Sequence, residues 1–302
     1  SGVQQGDKIA LCGRNSACWA VAFLATLTYG AVAVPILHEF TAEQIHNIVN
    51  HSGAKLLFVG DVVATVIDAT KMPDLEGIIY IPDYSLVVSR TEKLTYAREH
   101  LNEMFGKKFP KYFRQEHVHY RRETSGEEMA LINYTSGTTG FSKGVMIPYR
   151  AMWSNYDFAM GVLGSTVKAG DSVISILPMA HMYGMSFEFF FEFLHGCHIY
   201  YLTRVPSPAI IAQAFSEVKP AVIIAVPLVI RKKVFPKIQN NRMRLLLNMP
   251  VLNRKVNQKI CEQVKNAFGG RFYEIIIGGA AFNQEVEQFL KRIDFPYTVG
   301  YG

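Results

Sequence analysis

Short aliphatic, β-branched runs alternate along this chain with stretches of helical periodicity, and that alternation restricts the fold more than any other feature. Ile9-Ala10-Leu11-Cys12 reads as a strand, Ala17–Tyr29 as a helix and Ala31–Ile36 as a strand. Thr41 opens the next helix, with Gln44 at the capping-box position, and the helix ends near Ser52-Gly53. Leu56–Val59 and Gly77–Ile81 are further strands. Beyond Met129–Ile132 the pattern resumes, with a helix over Pro148–Val162 and strands over Ser172–Leu177, Ile199–Leu202, Ala221–Val226 and Glu274–Ile277. Met185–Leu194 reads as an aromatic helix, and Asn253–Phe268 as a helix closed by Gly269-Gly270. Such βαβ alternation predicts an α/β fold: doubly wound, mostly parallel sheets flanked by helices.

The chain divides by this reading into two lobes. Residues 1–128 form a first α/β lobe, with an irregular, partly helical insertion near 86–128. Residues 129–302 form a second, ending on Tyr297–Gly302, which reads as a strand cut in mid-element. The uncharged run Cys18–Leu37 has the length of a membrane span. Gly30 and Pro35 break it, so a buried helix followed by a strand explains it better.

Composition narrows the function classes. The chain has 302 residues, 49% hydrophobic and 19% charged, with a net charge of +6. These values fit a globular protein. The basic clusters Lys107-Lys108, Arg121-Arg122 and Arg231-Lys232-Lys233 are short; together they favour polyanions or an anionic membrane surface. No nucleic-acid-binding signature is present, so nucleic acid is not expected as a partner. The four cysteines, Cys12, Cys18, Cys197 and Cys261, form no C-x-x-C pair and point to free thiols in a reducing cytoplasm. No histidine pair has zinc-site spacing.

The chemistry is concentrated in Tyr134–Val145, YTSGTTGFSKGV, directly after the apolar run Met129–Ile132. Backbone N–H groups, hydroxyls and Lys143 in one loop are the groups that wrap a phosphate. The loop is neither the Walker A pattern nor the dinucleotide fingerprint, because no Ser or Thr follows Lys143 and no third glycine stands at the required offset. Two further strand exits carry chemistry-bearing residues: Pro178-Met179-Ala180-His181 and Gly278-Gly279-Ala280. In open α/β sheets ligands bind beyond the carboxyl ends of strands, so these exits are expected to converge.

These residues resemble the motifs of the adenylate-forming enzymes: acyl-CoA synthetases, adenylation domains and firefly-type luciferases. Tyr134–Val145 is similar to their [YF]-T-S-G-T-T-G-x-P-K-G-V loop, with Ser142 in place of the proline. A serine there leaves the approach to Lys143 less rigid. Leu177–Gly184 resembles the family's next motif, Ile277–Ala281 its adenine-binding segment, and Tyr301-Gly302 the start of its Y-G-x-T-E motif. The resemblance covers nearly the whole chain. It implies two lobes of an adenylate-forming N-terminal domain without the C-terminal domain, and a reaction that joins a carboxylate to AMP and passes the acyl group to a thiol, usually CoA.

By the same resemblance, Thr135, Ser136, Gly137, Thr138, Thr139, Gly140 and Lys143 hold the ATP phosphates, and Thr135 also meets magnesium. His181 sits by the acyl carboxylate and α-phosphate, with Lys143 and His181 the catalytic pair in this chain. Gly278, Gly279 and Ala280 lie against adenine, Tyr301 stacks on it, and Gly302 completes the site. The expected magnesium-binding glutamate would follow Gly302, and the catalytic lysine lies in a further domain, so this chain is expected to be inactive alone. Ala225–Phe235 resembles the V-P-x-x-x-x-K segment of long-chain acyl-CoA synthetases. The substrates implied are a long-chain fatty acid, ATP and CoA, with Mg2+. Aryl-CoA ligases, carrier-protein-loading domains and a non-catalytic nucleotide-binding module are the competing readings. Peripheral contact with a membrane is expected, and the oligomeric state is open.

Overall fold

The computed structural model describes residues 2–118, 126–135, 143–202, 207–230 and 253–300. The chain forms two compact units, Ser1–Ser154 and Asn155–Gly302.

The first unit is built on a seven-stranded sheet. Its strands are β1 (Lys8–Cys12), β2 (Val32–Ile36), β3 (Ala54–Val59), β4 (Gly77–Tyr80), β5 (Leu86–Ser89), β6 (Met129–Thr135) and β7 (Lys143–Pro148). The order across the sheet is β5-β4-β3-β1-β2-β6-β7. The five inner strands are parallel, and β5 and β7 close the edges antiparallel. The helices are α1 (Ala17–Tyr29), α2 (Ala42–Ser52), α3 (Asp61–Ala64), α4 (Glu92–Glu99) and α5 (Leu101–Lys108).

Local chemistry accounts for the ends of these helices. Ser16 caps α1 by accepting from Trp19 N–H, and Gly30 ends the helix in the left-handed conformation. Thr41 and Gln44 close the expected capping box on α2. The run Cys18–Leu37 is therefore a 13-residue helix, then a fully buried strand. No helix among the described residues is long and apolar enough to cross a membrane. One sheet face packs Ala10, Val34, Leu57 and Val59 under Ile45, Ile48 and Val49 of α2. The other packs Ile9, Ala31 and Leu56 against Leu94 of α4.

The second unit opens with α6 (Tyr149–Leu163), which runs across the division between the units. Strands β8 (Ser172–Ser175) and β9 (His198–Tyr201) pair in parallel, as do β10 (Val222–Ala225), β11 (Glu274–Ile277) and β12 (Tyr297–Val299). Ala221 N–H donates to Ser172 O at 2.8 Å and ties β10 to β8. Between β8 and β9 runs one continuous helical stretch: α7 (Met182–Gly184), a wider π turn over Met185–Phe190, and α8 (Phe191–Leu194). The remaining helices are α9 (Pro208–Val218), α10 (Asn253–Asn266) and α11 (Gln284–Arg292). Ile223, Ile275 and Ile277 pack on Phe215 of α9, Val264 of α10 and Phe289 of α11. Val222, Ile224 and Ile276 face Ala159 and Leu163 of α6 and Phe191 of α8. Helices cover both faces, as a doubly wound sheet requires.

Three elements differ from the expectation. Residues 143–145, read as the end of the glycine loop, and Pro148, read as the start of a helix, belong to the edge strand β7. The insertion near 86–128 is helical over α4 and α5, as expected, but it opens with a strand, β5. The sequence reading places the glycine loop in the second lobe, but its two flanking strands complete the first unit's sheet, so the division falls after Ser154 rather than at 128. The reason is the β6–β7 hairpin itself, which joins the first unit's sheet through the pairing of β6 with β2.

Candidate functional site

In the first unit the candidate residues stand at the base of the β6–β7 hairpin. Ala130, Leu131 and Ile132 are buried and fix β6 in the sheet. Its register with β7 sets Tyr134 opposite Gly144 and Thr135 opposite Lys143. Directly opposed residues in an antiparallel pair have Cβ atoms roughly 5 Å apart. The hydroxyl of Thr135 and the ammonium of Lys143, both exposed, therefore share the mouth of the loop. Ser136, Gly137, Thr138, Thr139 and Gly140 lie outside the described residues.

The hairpin base is clamped. Tyr134 is 6% exposed, and its phenol meets His51 Nδ1 of α2 at 2.7 Å. Burial pushes that phenol's pKa up, so it stays a neutral hydroxyl. A Cβ on Gly144 would lie 2.9 Å from Ile132 Cγ2 and 3.1 Å from Tyr134 Cζ, so only glycine lets β7 approach this ring without displacement.

In the second unit two strand exits meet. After β8 the chain turns through Pro178, with His181 N–H donating to Pro178 O at 3.0 Å. His181 then caps α7: its Nδ1 accepts from Tyr183 N–H at 3.2 Å. An accepting Nδ1 leaves the ring proton on Nε2, on a side chain that is exposed. Tyr183 reaches from the same turn to β11, where its hydroxyl donates to Ile276 O at 3.3 Å. Its ring covers Gly278, where a Cβ would lie 2.9 Å from the Tyr183 ring and 3.2 Å from Gly300 O. Gly279 follows at φ 80°, and Gly279 and Ala280 are exposed. Gly300 N–H donates to Ile277 O at 2.8 Å, so β11 and β12 leave the sheet side by side. Tyr301 and Gly302 come next and lie outside the described residues.

Sequence reasoning passed over the groups behind this turn. Glu188, in the π turn, is 2% exposed, and its Oε2 accepts from Ile176 N–H at 2.8 Å and Leu177 N–H at 2.6 Å. Burial pushes its carboxyl well up, and the two amides pull the other way. Burial, and then the nearby Glu188, push the Tyr183 phenol up as well. Glu192, one turn on, is 1% exposed, and burial raises its carboxyl to about 7, partly offset by the Cys197 thiol beside it. The signal was available: two acids inside an otherwise aromatic run.

A family model described as AMP-binding enzyme matches residues 1–302. The chain belongs to the AMP-binding enzyme family. Among curated relatives of this AMP-binding chain is the human long-chain-fatty-acid–CoA ligase ACSBG2, 24% identical over all of this chain and 48% of the relative. Long chain acyl-CoA synthetase 2 of Arabidopsis thaliana is 25% identical, with the same coverage of 100% and 48%. The chain thus spans about half the length of the curated relatives it matches. Its fold is that of the N-terminal domain of FACL13 from Mycobacterium tuberculosis, with a TM-score of 0.66 at 21% identity over 100% of this chain and 64% of that one. It is also similar to a long-chain-fatty-acid-CoA ligase, FadD1, from Archaeoglobus fulgidus, with a TM-score of 0.68 at 17% identity over 100% and 53%.

The donor set can be tested against the ligands such a family implies. Among the described residues no group of three His, Cys, Asp or Glu could enclose a metal. The Thr135 hydroxyl is a neutral oxygen of the kind magnesium accepts, since that ion keeps much of its water and takes few protein ligands. The Lys143 ammonium repels a cation and fits the phosphates instead.

Proposed function

We propose that this chain forms the nucleotide-holding part of an ATP-dependent, AMP-forming acid–thiol ligase that activates a fatty acid and passes it to CoA. The observation that carries this reading is the closure of two strand exits around Tyr183, with His181 on one side and Gly278-Gly279 on the other. That arrangement offers an exposed ring N–H donor at His181 and, past the covered Gly278, exposed backbone at Gly279. A flat base can lie against that exposed backbone, and the donor can serve an oxygen of the same ligand.

In the reaction a carboxylate oxygen of the acid forms a bond to the α-phosphorus. The bond from that phosphorus to the bridging oxygen breaks, and pyrophosphate leaves with the electron pair. A thiolate of CoA then bonds to the acyl carbon and AMP departs. Both partners in the first step are anions, so the protein must offset charge and hold them in line. Lys143 supplies a positive charge at the loop mouth, and the His181 Nε2–H donates to an oxygen of the reacting pair. Magnesium, when bound, adds positive charge to the phosphates, and Thr135 is the residue here that would hold it. Ser136, Thr138 and Thr139 supply hydroxyls to the same phosphates, and Tyr301 stacks on the base.

The long-chain preference rests on the V-P-x-x-x-x-K segment and on the relatives' names. Each buried CH₂ is worth about 0.8 kcal/mol, so a long alkyl chain can dominate binding. We place the protein in the cytoplasm and at a membrane surface. The four free cysteines support the first. Exposed Phe105, Tyr112 and Phe113 beside Lys107, Lys108, Lys111 and Arg114 support the second.

The test is acid-dependent exchange between pyrophosphate and ATP in the full-length gene product. Lys143→Ala is expected to lower the rate about tenfold or more, the loss of one charge contact worth at least ~1.4 kcal/mol. An unchanged rate makes Lys143 a surface lysine. In a chain-length series kcat/KM should rise with alkyl length. A maximum at acetate or at aromatic acids replaces the fatty-acid reading with an aryl-acid or carrier-loading one, and no exchange with any acid leaves a non-catalytic module.

A further inference from the structure

Glu188 departs from its surroundings. Phe187, Phe189, Phe190 and Phe191 flank it, yet a carboxyl sits there at 2% exposure. An acid in such a place is costly unless its oxygens are used. One is used twice: Oε2 accepts from the amides of Ile176 and Leu177, the first two residues after β8. These amides have left the β8–β9 ladder, whose register ends at Ser175. Glu188 gives these two donors the acceptor that the ladder does not offer them.

The same two residues begin the turn that delivers His181. Leu177 and Pro178 also abut Gly184, where a Cβ would lie 2.5 Å from Pro178 O and 3.1 Å from Leu177 Cβ. The turn is therefore gripped at one point by Gly184 and at another by Glu188, one helical turn further along. The wider π winding over Met185–Phe190 coincides with Glu188. Winding of this kind is frequent at functional sites. Oε1, the other carboxyl oxygen, has no hydrogen-bond partner among the described residues, so the backbone contact is what the acid does here.

We propose that Glu188 is a positioning residue: it holds the β8 exit against the π turn, and so fixes where His181 presents its Nε2–H. Glu192 supplies the internal control. It lies on the same helical stretch and is equally buried, but among the described residues neither of its oxygens accepts from a backbone amide, and its polar neighbour is the Cys197 thiol. A general effect of removing a buried acid would appear at both positions, whereas a positioning effect appears only at Glu188.

The first experiment does not depend on the proposed activity. Nitrogen-15 NMR of histidine-labelled chain, with His181 assigned by its loss in His181→Asn, reads which ring nitrogen carries the proton. The wild type and Glu192→Gln should show His181 protonated on Nε2, while Glu188→Gln should show a mixture of tautomers. A His181 signal unchanged in Glu188→Gln overturns the proposal. If that variant fails to fold, Glu188→Asp, too short to reach both amides, takes its place. Amide exchange in the wild type gives a reading with no variant at all: Ile176 and Leu177 should be protected, and exchange as fast as in an open loop overturns the proposal.

The kinetic arm rests on the function proposed above. In the full-length gene product Glu188→Gln should lower kcat for pyrophosphate exchange at least fivefold, with KM for ATP within twofold and Glu192→Gln near wild type. An equal fall in both variants overturns the positioning role. If the wild type shows no exchange, the functional reading fails instead, and the tautomer measurement still decides what Glu188 does.

Discussion

At Glu192 burial converts a side chain into a record of pH. Its folded carboxyl keeps its proton up to about 7, against an ordinary value of 4.5 once the chain unfolds. Between those values the folded state binds more protons, so stability falls as pH rises. The contribution is whole below the lower value and gone above the upper one, a loss on the order of 3 kcal/mol. Urea unfolding at pH 5 and pH 8 should show this slope, and Glu192→Gln should lessen it, the remainder belonging to Glu188, whose carboxyl burial also pushes up. An unchanged slope in the variant assigns the pH dependence to another group. Tyr134 gives a second expectation. Tyr134→Phe removes the hydroxyl that meets His51 and leaves the ring over Gly144. It should cost about 1 kcal/mol, the net worth of one hydrogen bond, in equilibrium unfolding.

At the scale of elements the β6–β7 hairpin is the most demanding piece. Gly144→Val would drive a branched side chain into Ile132 and Tyr134. Overpacking of this kind typically costs about 1–3 kcal/mol, so unfolding should begin at lower denaturant, with faster amide exchange along β6. Unaltered exchange there would mean that β7 yields freely at the edge. This hairpin also marks where sequence stops being informative. β1, α1, β2, α2 and β3 are legible because their apolar periods and caps are strong and local. β7 is not, since KGVMIP at an exposed edge lacks alternation and continues a glycine loop. Helices α9 and α11 were passed over although Ser207 with Pro208, and Asn283 with Glu285, are proper starting signals. In the site, Thr135, Lys143, His181 and Gly278–Ala280 are legible as motifs. The Tyr183 bond to Ile276 joins residues 93 apart in sequence, and nothing local encodes it.

At the scale of the whole molecule each unit has a core of its own, and both tryptophans, Trp19 and Trp153, belong to the first. Trp19 is 1% exposed and stacks on Phe23 at 5.2 Å, so its fluorescence reports that unit's core. Far-UV ellipticity reports both units. The pH-dependent loss centred on Glu192 should therefore move the ellipticity curve and leave the fluorescence midpoint in place. Coincident curves at both pH values would show that the units unfold as one cooperative body. The strand order of the first unit has a further consequence, for the nascent chain. β2 pairs with β1 on one side and must wait for β6 on the other, and about ninety residues lie between Ile36 and Met129. At the ribosome's ~5–20 residues per second that wait lasts roughly 5–20 s. Throughout it Val32–Ile36 presents an apolar, half-paired edge to every neighbouring chain. Pro35 removes one amide donor from that edge, which makes the unfinished protein a poorer template for mispairing while translation catches up.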